Sequence, residues 1–451
     1  MNVKDFFEVQ FKQFAVYDSE RSIANVIDGQ KITGRKVLYT CANRANTDIK
    51  VAQLCSQVAY ETAYHHGEAG IGNVITNLAQ NYVGSNNINL LEPIGQFGNR
   101  LSPISAAHRY IFTKQSIDFR KLFKKEDDLI LEHNYDDEQR IEPKYYLPIL
   151  PVVLINGTQG IGTGFASKVL SYNPKDLKAD ILNILNNKKR KSLTPWYKGY
   201  KGEISKGENN NQWILKGKIE LKSEQLREKG TRKSNDKTYS VKITELPIGY
   251  YLDDIKSTLN KLKEKGIVKD YDDNSTEESF DIDVILHRND STVTDLSIEK
   301  LYDTLKLITK DTENLTLWNT NNKLQVFNNA SHIVEYFTNF RLIKYEERRL
   351  ALIKQVETEI SDLDERIRFI NFYLKNTKLF RNTPKIELYE LLTKNKFINP
   401  DKLLSLPMYN LTLDSITKLE NSLVDKNTYH EELKVTNAKS MYLKELEELK
   451  L

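Results

Sequence analysis

Cysteine is nearly missing from this 451-residue chain: only Cys41 and Cys55 are present. Both fall in apolar, helically spaced patterns. They read as reduced core residues, and neither a disulfide scaffold nor a cysteine-rich metal site is expected. Long hydrophobic runs are missing as well, so no stretch has the length to span a bilayer. The first residues, Met1-Asn2-Val3-Lys4-Asp5, lack the charged-then-apolar layout of a signal peptide, and a cytoplasmic protein without a membrane partner is expected. Charge of one sign is also scarce. Lys and Arg total 66 against 62 for Asp and Glu, which leaves a net charge of +4. No global field marks a nucleic-acid binder, so any such site must be a local basic patch. What is present, 39% hydrophobic and 28% charged residues, is the profile of a globular chain rather than a disordered one. The length calls for two to four domains.

Residues 5 to 27 read as a helical lead-in that stops at the turn signal Asp28-Gly29. Val37, Leu38 and Cys41 follow at helical spacing. Val51, Leu54, Cys55 and Val58 form a clean amphipathic stripe, and Val74, Leu78 and Tyr82 another. Such short helices with basic residues at their starts suit a helix-turn-helix or winged-helix module, while periodicity alone equally allows an ordinary helical bundle. Residues 84 to 105, rich in Gly, Asn, Pro and Ser, read as loop and wing. Tyr145 to Gly157 reads as a buried strand entering a glycine-rich turn, with a boundary near Tyr172-Asn173-Pro174. Beyond it, a helix over Leu177 to Leu185 and strands at 202–204, 213–215 and 239–244 describe an α/β module. Its charged segment Lys222 to Lys237 reads as an exposed hairpin or loop. In the last part, Leu352, Val356, Ile360, Leu363, Ile367, Ile370 and Leu374 advance in steps of three and four. Ile416, Leu419, Leu423, His430 and Leu433 answer them with a lysine at one seam position. Leu406-Pro407-Met408 interrupts the two runs, which suggests a long antiparallel helix pair with a small globular tip.

Four clusters could carry chemistry. Arg109-Tyr110 is the first. A phenol is mostly protonated at neutral pH and needs help to attack, and a guanidinium can hold the charge that develops on a phosphodiester. On a loop both side chains can reach one phosphate. The second is Tyr64-His65-His66-Gly67-Glu68. Adjacent histidines chelate poorly, so a phosphate contact or assistance to proton transfer suits His65 and His66 better than zinc. The third gathers Lys31, Arg35 and Lys36 at a helix start, where the dipole favours a phosphate. The fourth, Asn156 to Gly164, has the wrong spacing for a dinucleotide loop. It is either a tight turn with Ile161 packed inside, or a segment that lays amides along a phosphate chain and drives Ile161 into a base step. Asp281-Ile282-Asp283 mimics a metal motif, but its alternating strand pattern puts both carboxylates on one solvent face.

These stretches together resemble the breakage-reunion portion of a type IIA DNA topoisomerase. The resemblance covers nearly the whole chain. It rests on Asn25 to Tyr39, Lys50 to Leu54, Thr62 to Glu68, Asn77 to Asn87, Gly95-Gln96-Phe97-Gly98, Arg109 to Thr113 and Asn156 to Gly164, with Glu245-Leu246-Pro247 and Ser405 to Met408. It implies an α+β multidomain fold: a winged-helix DNA-cleavage domain over 1–172, an α/β tower domain over 173–330, and a long antiparallel coiled coil with a small helical dimerisation gate over 331–451.

By the same resemblance Tyr110 is the nucleophile of a 5′-phosphotyrosyl link and Arg109 its transition-state stabiliser. Arg35 and His66 flank the scissile phosphate. His65, Lys31, Lys36, Lys50, Gln96 and Arg100 contact DNA, and Ile161 intercalates. The implied activity is ATP-dependent double-strand passage, as relaxation or decatenation of duplex DNA, by two copies of this chain. No metal site is expected in the chain itself. Magnesium and ATP would sit on a separate polypeptide, an ATPase/TOPRIM subunit. That division is similar to the one in T-even bacteriophage topoisomerases, in which case the setting is the host cytoplasm. One departure is visible: Ser102-Pro103-Ile104-Ser105 stands where the family places glycines and an aspartate, which alters the flexibility expected of the tyrosine loop. Competing readings are a non-catalytic DNA clamp of the same fold and a gyrase-like supercoiling subunit.

Overall fold

A computed structural model describes residues 3–222, 239–287 and 298–450. Most of the charged segment between Lys222 and Lys237 therefore lies outside the described residues. The chain forms two compact units. One comprises the chain up to Lys125, Leu131–Asn339 and the chain from Leu449; the other comprises Glu126–Ile130 and Phe340–Glu448. The architecture is mixed α and β. No described helix is long and apolar enough to cross a membrane.

In the first unit a π-helical turn, Phe6–Phe11, leads into α1 (Lys12–Ser22). Three helices form the adjoining core: α2 (Ile32–Asn43), α3 (Val51–Glu61) and α4 (Glu68–Ala79). The α3 stripe is as spaced in the sequence, with Val51, Leu54, Cys55 and Val58 all buried. Burial pushes the thiol of Cys41 up to about 12 and that of Cys55 to about 11, so both stay protonated. On α4 the stripe differs from expectation. Ile71, Ile75 and Leu78 are buried, Val74 is only half-buried, and Tyr82 lies beyond the helix end. The helix stops at Gln80, whose side chain donates to the carbonyls of Phe97 and Pro103 and so anchors the following loop.

Strands β1 (Ile49–Lys50) and β2 (Phe112–Thr113) pair antiparallel and close the 84–111 connection back on the helices. Buried Asn87 organises that connection by donating to the carbonyls of Ile155, Tyr172 and Trp196. The strand expected over 145–157 is absent. Val152–Asn156 is instead a short buried helix. Proline at 148 and 151 cannot donate to a ladder, and a short apolar run does not distinguish a strand from a buried helix. A hairpin follows, β3 (Thr158–Gly162) with β4 (Phe165–Val169), turned by Thr163-Gly164 with Gly164 at φ 80°.

The rest of this unit begins with α5 (Pro174–Leu185), capped by Asn173, whose side chain accepts from the Lys175 amide. A four-stranded antiparallel sheet orders Val268–Asp273, Ile282–Leu286, Tyr239–Glu245 and Lys218–Lys222. On it packs α6 (Leu252–Glu264) through Ile255 and Leu259 against Val241, Ile243 and Val284. Asp281 is taken by the Lys242 ammonium at 2.6 Å. A three-stranded sheet orders Ile308–Thr312, Gln212–Lys216 and Glu203–Lys206.

The second unit contains most of the 46-residue α7 (Ala330–Lys375), short helices over 377–404, α8 (Leu413–Val435) and α9 (Ala438–Glu448). Leu352 and Val356 pack with Leu433, and farther along Phe369 and Ile370 pack with Leu392, Phe397, Leu403 and Ile416. His430 reaches Glu357 at 3.1 Å across the seam, and the seam lysine, Lys426, pairs with Glu359. The heptad pattern gave no sign of a buried ionic cluster here. Arg341 and Arg348 share Asp127, Arg348 and the Tyr345 hydroxyl both bond Glu445, and the rings of Tyr345 and Tyr442 stack at 4.6 Å.

Candidate functional site

The first amides of a helix have no partner within it and must find one elsewhere. On α3 the partners come from the Arg109-Tyr110 turn. The amide of Val51 donates to the Ile111 carbonyl at 3.0 Å, and that of Ala52 to the His108 carbonyl at 3.2 Å. The turn is closed by the Tyr110 amide on the Ala107 carbonyl, and its base is sewn down by reciprocal bonds between Ile94 and Phe112. The ring of His108 lies on Gly72 of α4, so close that a Cβ there would overlap it. Tyr110 is therefore held by backbone on both sides while its side chain stays 66% exposed. The Arg109 guanidinium carbon lies 4.9 Å from the centre of the Tyr110 ring. Exposed Lys50 immediately precedes α3, with its ammonium 5.9 Å from the Phe112 ring. Exposed Gln96 accepts the Ala106 amide at the root of the turn. Four expected site residues, Lys50, Gln96, Arg109 and Tyr110, are thus tied to one turn and the helix start on which it docks.

A second group surrounds α1. Gly160 of β3 presses on the carbonyl of Ser22, where no side chain would fit, and Gly162 lies on Ser19. Because strand residues alternate faces, Ile161 between those glycines points away from α1 and is 78% exposed. The alternative of a packed Ile161 is overturned. Asp18 steadies the tip, its Oδ2 accepting from both the amide and the hydroxyl of Thr163 at 2.8 Å. Lys31 donates to the Gln159 carbonyl at 2.8 Å, and burial lowers the pKa of its ammonium below the ordinary lysine value. His66 meets the Tyr17 hydroxyl through Nε2 at 2.8 Å. His65 is exposed, with its Nε2 4.0 Å from Asp136.

Two expected DNA contacts, Lys36 and Arg100, need correction, and the expected catalytic Arg35 is buried as well. Arg35 is buried and oriented by Asp28, Nε to Oδ2 at 2.7 Å, and also donates to the Gln30 carbonyl. Lys36 is buried between Glu142 at 2.9 Å and the Thr62 carbonyl. Arg100, 3% exposed, pairs with Glu245 at 3.1 Å and donates to the carbonyls of Leu246 and Tyr250. In this structure Lys36 and Arg100 present no charge outward. A buried cation requires a partner, and these partners stand 106 and 145 residues away in the chain. Tyr17 and Asp18 were missed for the same reason, since their partners lie 49 and 145 residues distant and nothing local marks them.

Among the described residues no hydrogen bond or ion pair joins the Arg109-Tyr110 side chains to His65, His66 or the Ile161 hairpin. The tyrosine turn docks on the first turn of α3, whereas His65 and His66 follow its last. Eleven helical residues rise about 16 Å between those ends. The arrangement supplies an accessible phenol beside a guanidinium, and separately an apolar wedge braced by a helix that also holds a histidine.

The chain is similar to known proteins along nearly its whole length. The profile of the family that comprises the A subunits of DNA gyrase and topoisomerase IV matches residues 21–449. DNA topoisomerase 2, mitochondrial, of Dictyostelium discoideum is 32% identical over 462 aligned residues, covering 99% of this chain and 35% of that protein. DNA topoisomerase 2 of Arabidopsis thaliana is 37% identical over 406, covering 87% of this chain and 26% of that protein. The chain thus spans about a third or less of these relatives' length. The crystal structure of the Plasmodium falciparum topoisomerase II DNA-binding, cleavage and re-ligation domain superposes with a TM-score of 0.89 at 34% identity, over 99% of this chain and 63% of that one. On its sequence along nearly its whole length, and on its fold, the chain belongs to the family of DNA gyrase and topoisomerase IV A subunits.

Proposed function

We propose that this chain is the DNA-cleaving part of an ATP-dependent type II DNA topoisomerase. The observation that carries the reading is an exposed Tyr110 on a turn fixed to the α3 start, with the Arg109 guanidinium beside its ring. In the forward step the Tyr110 oxygen bonds to phosphorus and the bond to the 3′ oxygen breaks. The phenol gives up its proton, and the departing 3′ oxygen gains one, leaving a 5′-phosphotyrosyl link and a free 3′ hydroxyl. Resealing is the reverse, so the phosphodiester bond energy is conserved. Arg109 offers donors to the charge that develops on the non-bridging oxygens. Lys50 and Gln96 flank the turn as contacts to the DNA, with His65, His66 and Lys31 near the wedge. Arg35 acts from its Asp28 clamp, and exposed Ile161 opens a base step and bends the duplex.

The finer architecture follows the same reading. Residues 1–172 form a winged-helix cleavage domain, 173–330 a tower, and 331–451 a coiled coil with a dimerisation gate. Ile386, Ile398, Met408, Tyr409 and Leu413 are exposed apolar side chains of the second unit and are the ones we assign to contact with a second copy. Two copies bring two tyrosines, one for each strand of the break. Asp28, Glu142 and Asp18 are engaged by this chain's own groups, Arg35, Lys36 and Thr163, and among the described residues no three His, Cys, Asp or Glu side chains gather as metal ligands. That donor set does not suit magnesium, so no step here runs through a metal. Magnesium and ATP are assigned to another polypeptide that carries the acidic and ATPase modules.

The test reconstitutes the chain with such a partner on supercoiled DNA and denatures the reaction with detergent. A covalent adduct on the 5′ end is expected from the wild type and none from Tyr110→Phe. An adduct that survives in Tyr110→Phe removes the nucleophile assignment. A wild type that binds and bends DNA but never forms an adduct is a clamp.

A further inference from the structure

We propose that α1 is a shared brace, in which Tyr17 positions His66 and the neighbouring Asp18 positions the Ile161 hairpin. The inference rests on the topoisomerase reading for its functional consequence, though not for its geometry. Tyr17 and Asp18 are consecutive, yet they grip different elements. The Tyr17 hydroxyl is 2.8 Å from His66 Nε2, and among the described residues this is the hydrogen bond of that imidazole. The Tyr64 ring stands edge-on to the same imidazole, 5.4 Å away at 74°, and limits its rotation. Asp18 takes two bonds from Thr163 at the hairpin tip, while Ser19 and Ser22 receive Gly162 and Gly160 along its length. A displacement of α1 therefore moves the histidine and the wedge together.

The chemistry of the Tyr17 contact selects a tautomer. A phenol is a good proton donor and a weak acceptor, so its hydroxyl donates to Nε2 of the neutral ring. The ring proton then resides on Nδ1, and the Nδ1–H is the donor left for a phosphate oxygen. Tyr17 touches no reacting atom in this account and acts through His66, as a positioning residue. The hydroxyl rather than the ring carries the role. Tyr17→Phe keeps the aromatic packing with His66 and removes only the tautomer bias.

The deciding measurement is nitrogen NMR of the chain labelled at its seven histidines, with His66→Gln used to assign the resonance. Tyr17→Phe is expected to shift His66 from the Nδ1–H form toward the Nε2–H form and to leave the other histidines unchanged. An unchanged His66 tautomer overturns the proposal. In the reconstituted complex, Tyr17→Phe is expected to slow adduct formation about 3- to 10-fold, the range for losing one hydrogen bond. Added to His66→Gln, it should cost nothing more. Equal losses in both backgrounds overturn the route through His66. Asp18→Ala, which removes the acceptor altogether, is expected to reduce DNA bending while His66 keeps its tautomer, and unchanged bending overturns the second half of the brace. A wild-type complex that forms no adduct defeats the topoisomerase reading instead, and the NMR result, obtained on the chain alone, still decides the Tyr17 assignment.

Discussion

Asp28 and Arg35 face each other inside the first unit, Oδ2 to Nε at 2.7 Å, with the carboxylate wholly buried. The carboxylate also accepts the amides of Gln30 and Tyr146, each at 3.0 Å, so it locks a loop start and the 145–151 segment to α2. Asp28→Asn leaves a buried guanidinium without its counter-charge. A loss of about 3–5 kcal/mol in unfolding free energy is expected, the range for breaking a buried pair from one side. Chemical denaturation measures it, and a loss below about 1 kcal/mol, the worth of an exposed pair, would show that Arg35 reaches solvent.

Gly72 carries a second prediction. A Cβ at this position would overlap the His108 ring, and the His108 carbonyl is one of the two that dock the tyrosine turn on α3. Gly72→Ala is expected to displace the turn and lower adduct yield by about 10- to 100-fold, since misplacing a reacting group by an ångström has effects of that size. His108→Gly in the same chain removes the overlap and should restore much of the yield. Failure of that rescue would place the effect of Gly72 elsewhere.

Ile161 is exposed and touches little of its own chain, so Ile161→Ala should leave stability within about 0.5 kcal/mol of the wild type. Bending of a duplex labelled at both ends for energy transfer is expected to drop sharply. Gly160→Ala attacks the same hairpin from its inner face, against the Ser22 carbonyl, and should reduce both bending and stability. Full bending by Ile161→Ala would remove the wedge role.

Asp127 sits in a short 3-10 helix, yet it is the shared acceptor for Arg341 and Arg348 in the second unit. Burial disfavours the charged form of Arg341, but Asp127, with the neighbouring Tyr345 and Tyr442, more than offsets it and raises the guanidinium's pKa above its ordinary value, so the charge persists at any working pH. Asp127→Asn is expected to destabilise the second unit by about 3–5 kcal/mol. Hydrogen exchange should locate the loss in α7 and α9. An unaltered exchange pattern there would show that Glu445 alone suffices.

Much of the fold is legible in the sequence. The α3 stripe, the helix over 174–185 and the interrupted helical seam follow from periodicity, because one buried face imposes its spacing on the sequence, and the strands at 203–206 and 212–216 fall where short strand-like pieces are read. Ordered motifs are enough to place the chain in its family, and the Arg109-Tyr110 pair is visible as a dipeptide. Which cations face outward is not visible. Lys36 and Arg100 look like any surface cation in the sequence, and only folding shows that Glu142 and Glu245 enclose them. The direction of Ile161 is equally open, and it is decided by two glycines flattened against α1. Local spacing is written by residues a few positions apart, so the sequence by itself determined most of the elements and the family. Burial, pairing and exposure depend on residues about 50 to 150 positions away, such as Tyr17 with His66 and Asp18 with Thr163, and only the tertiary structure decided them.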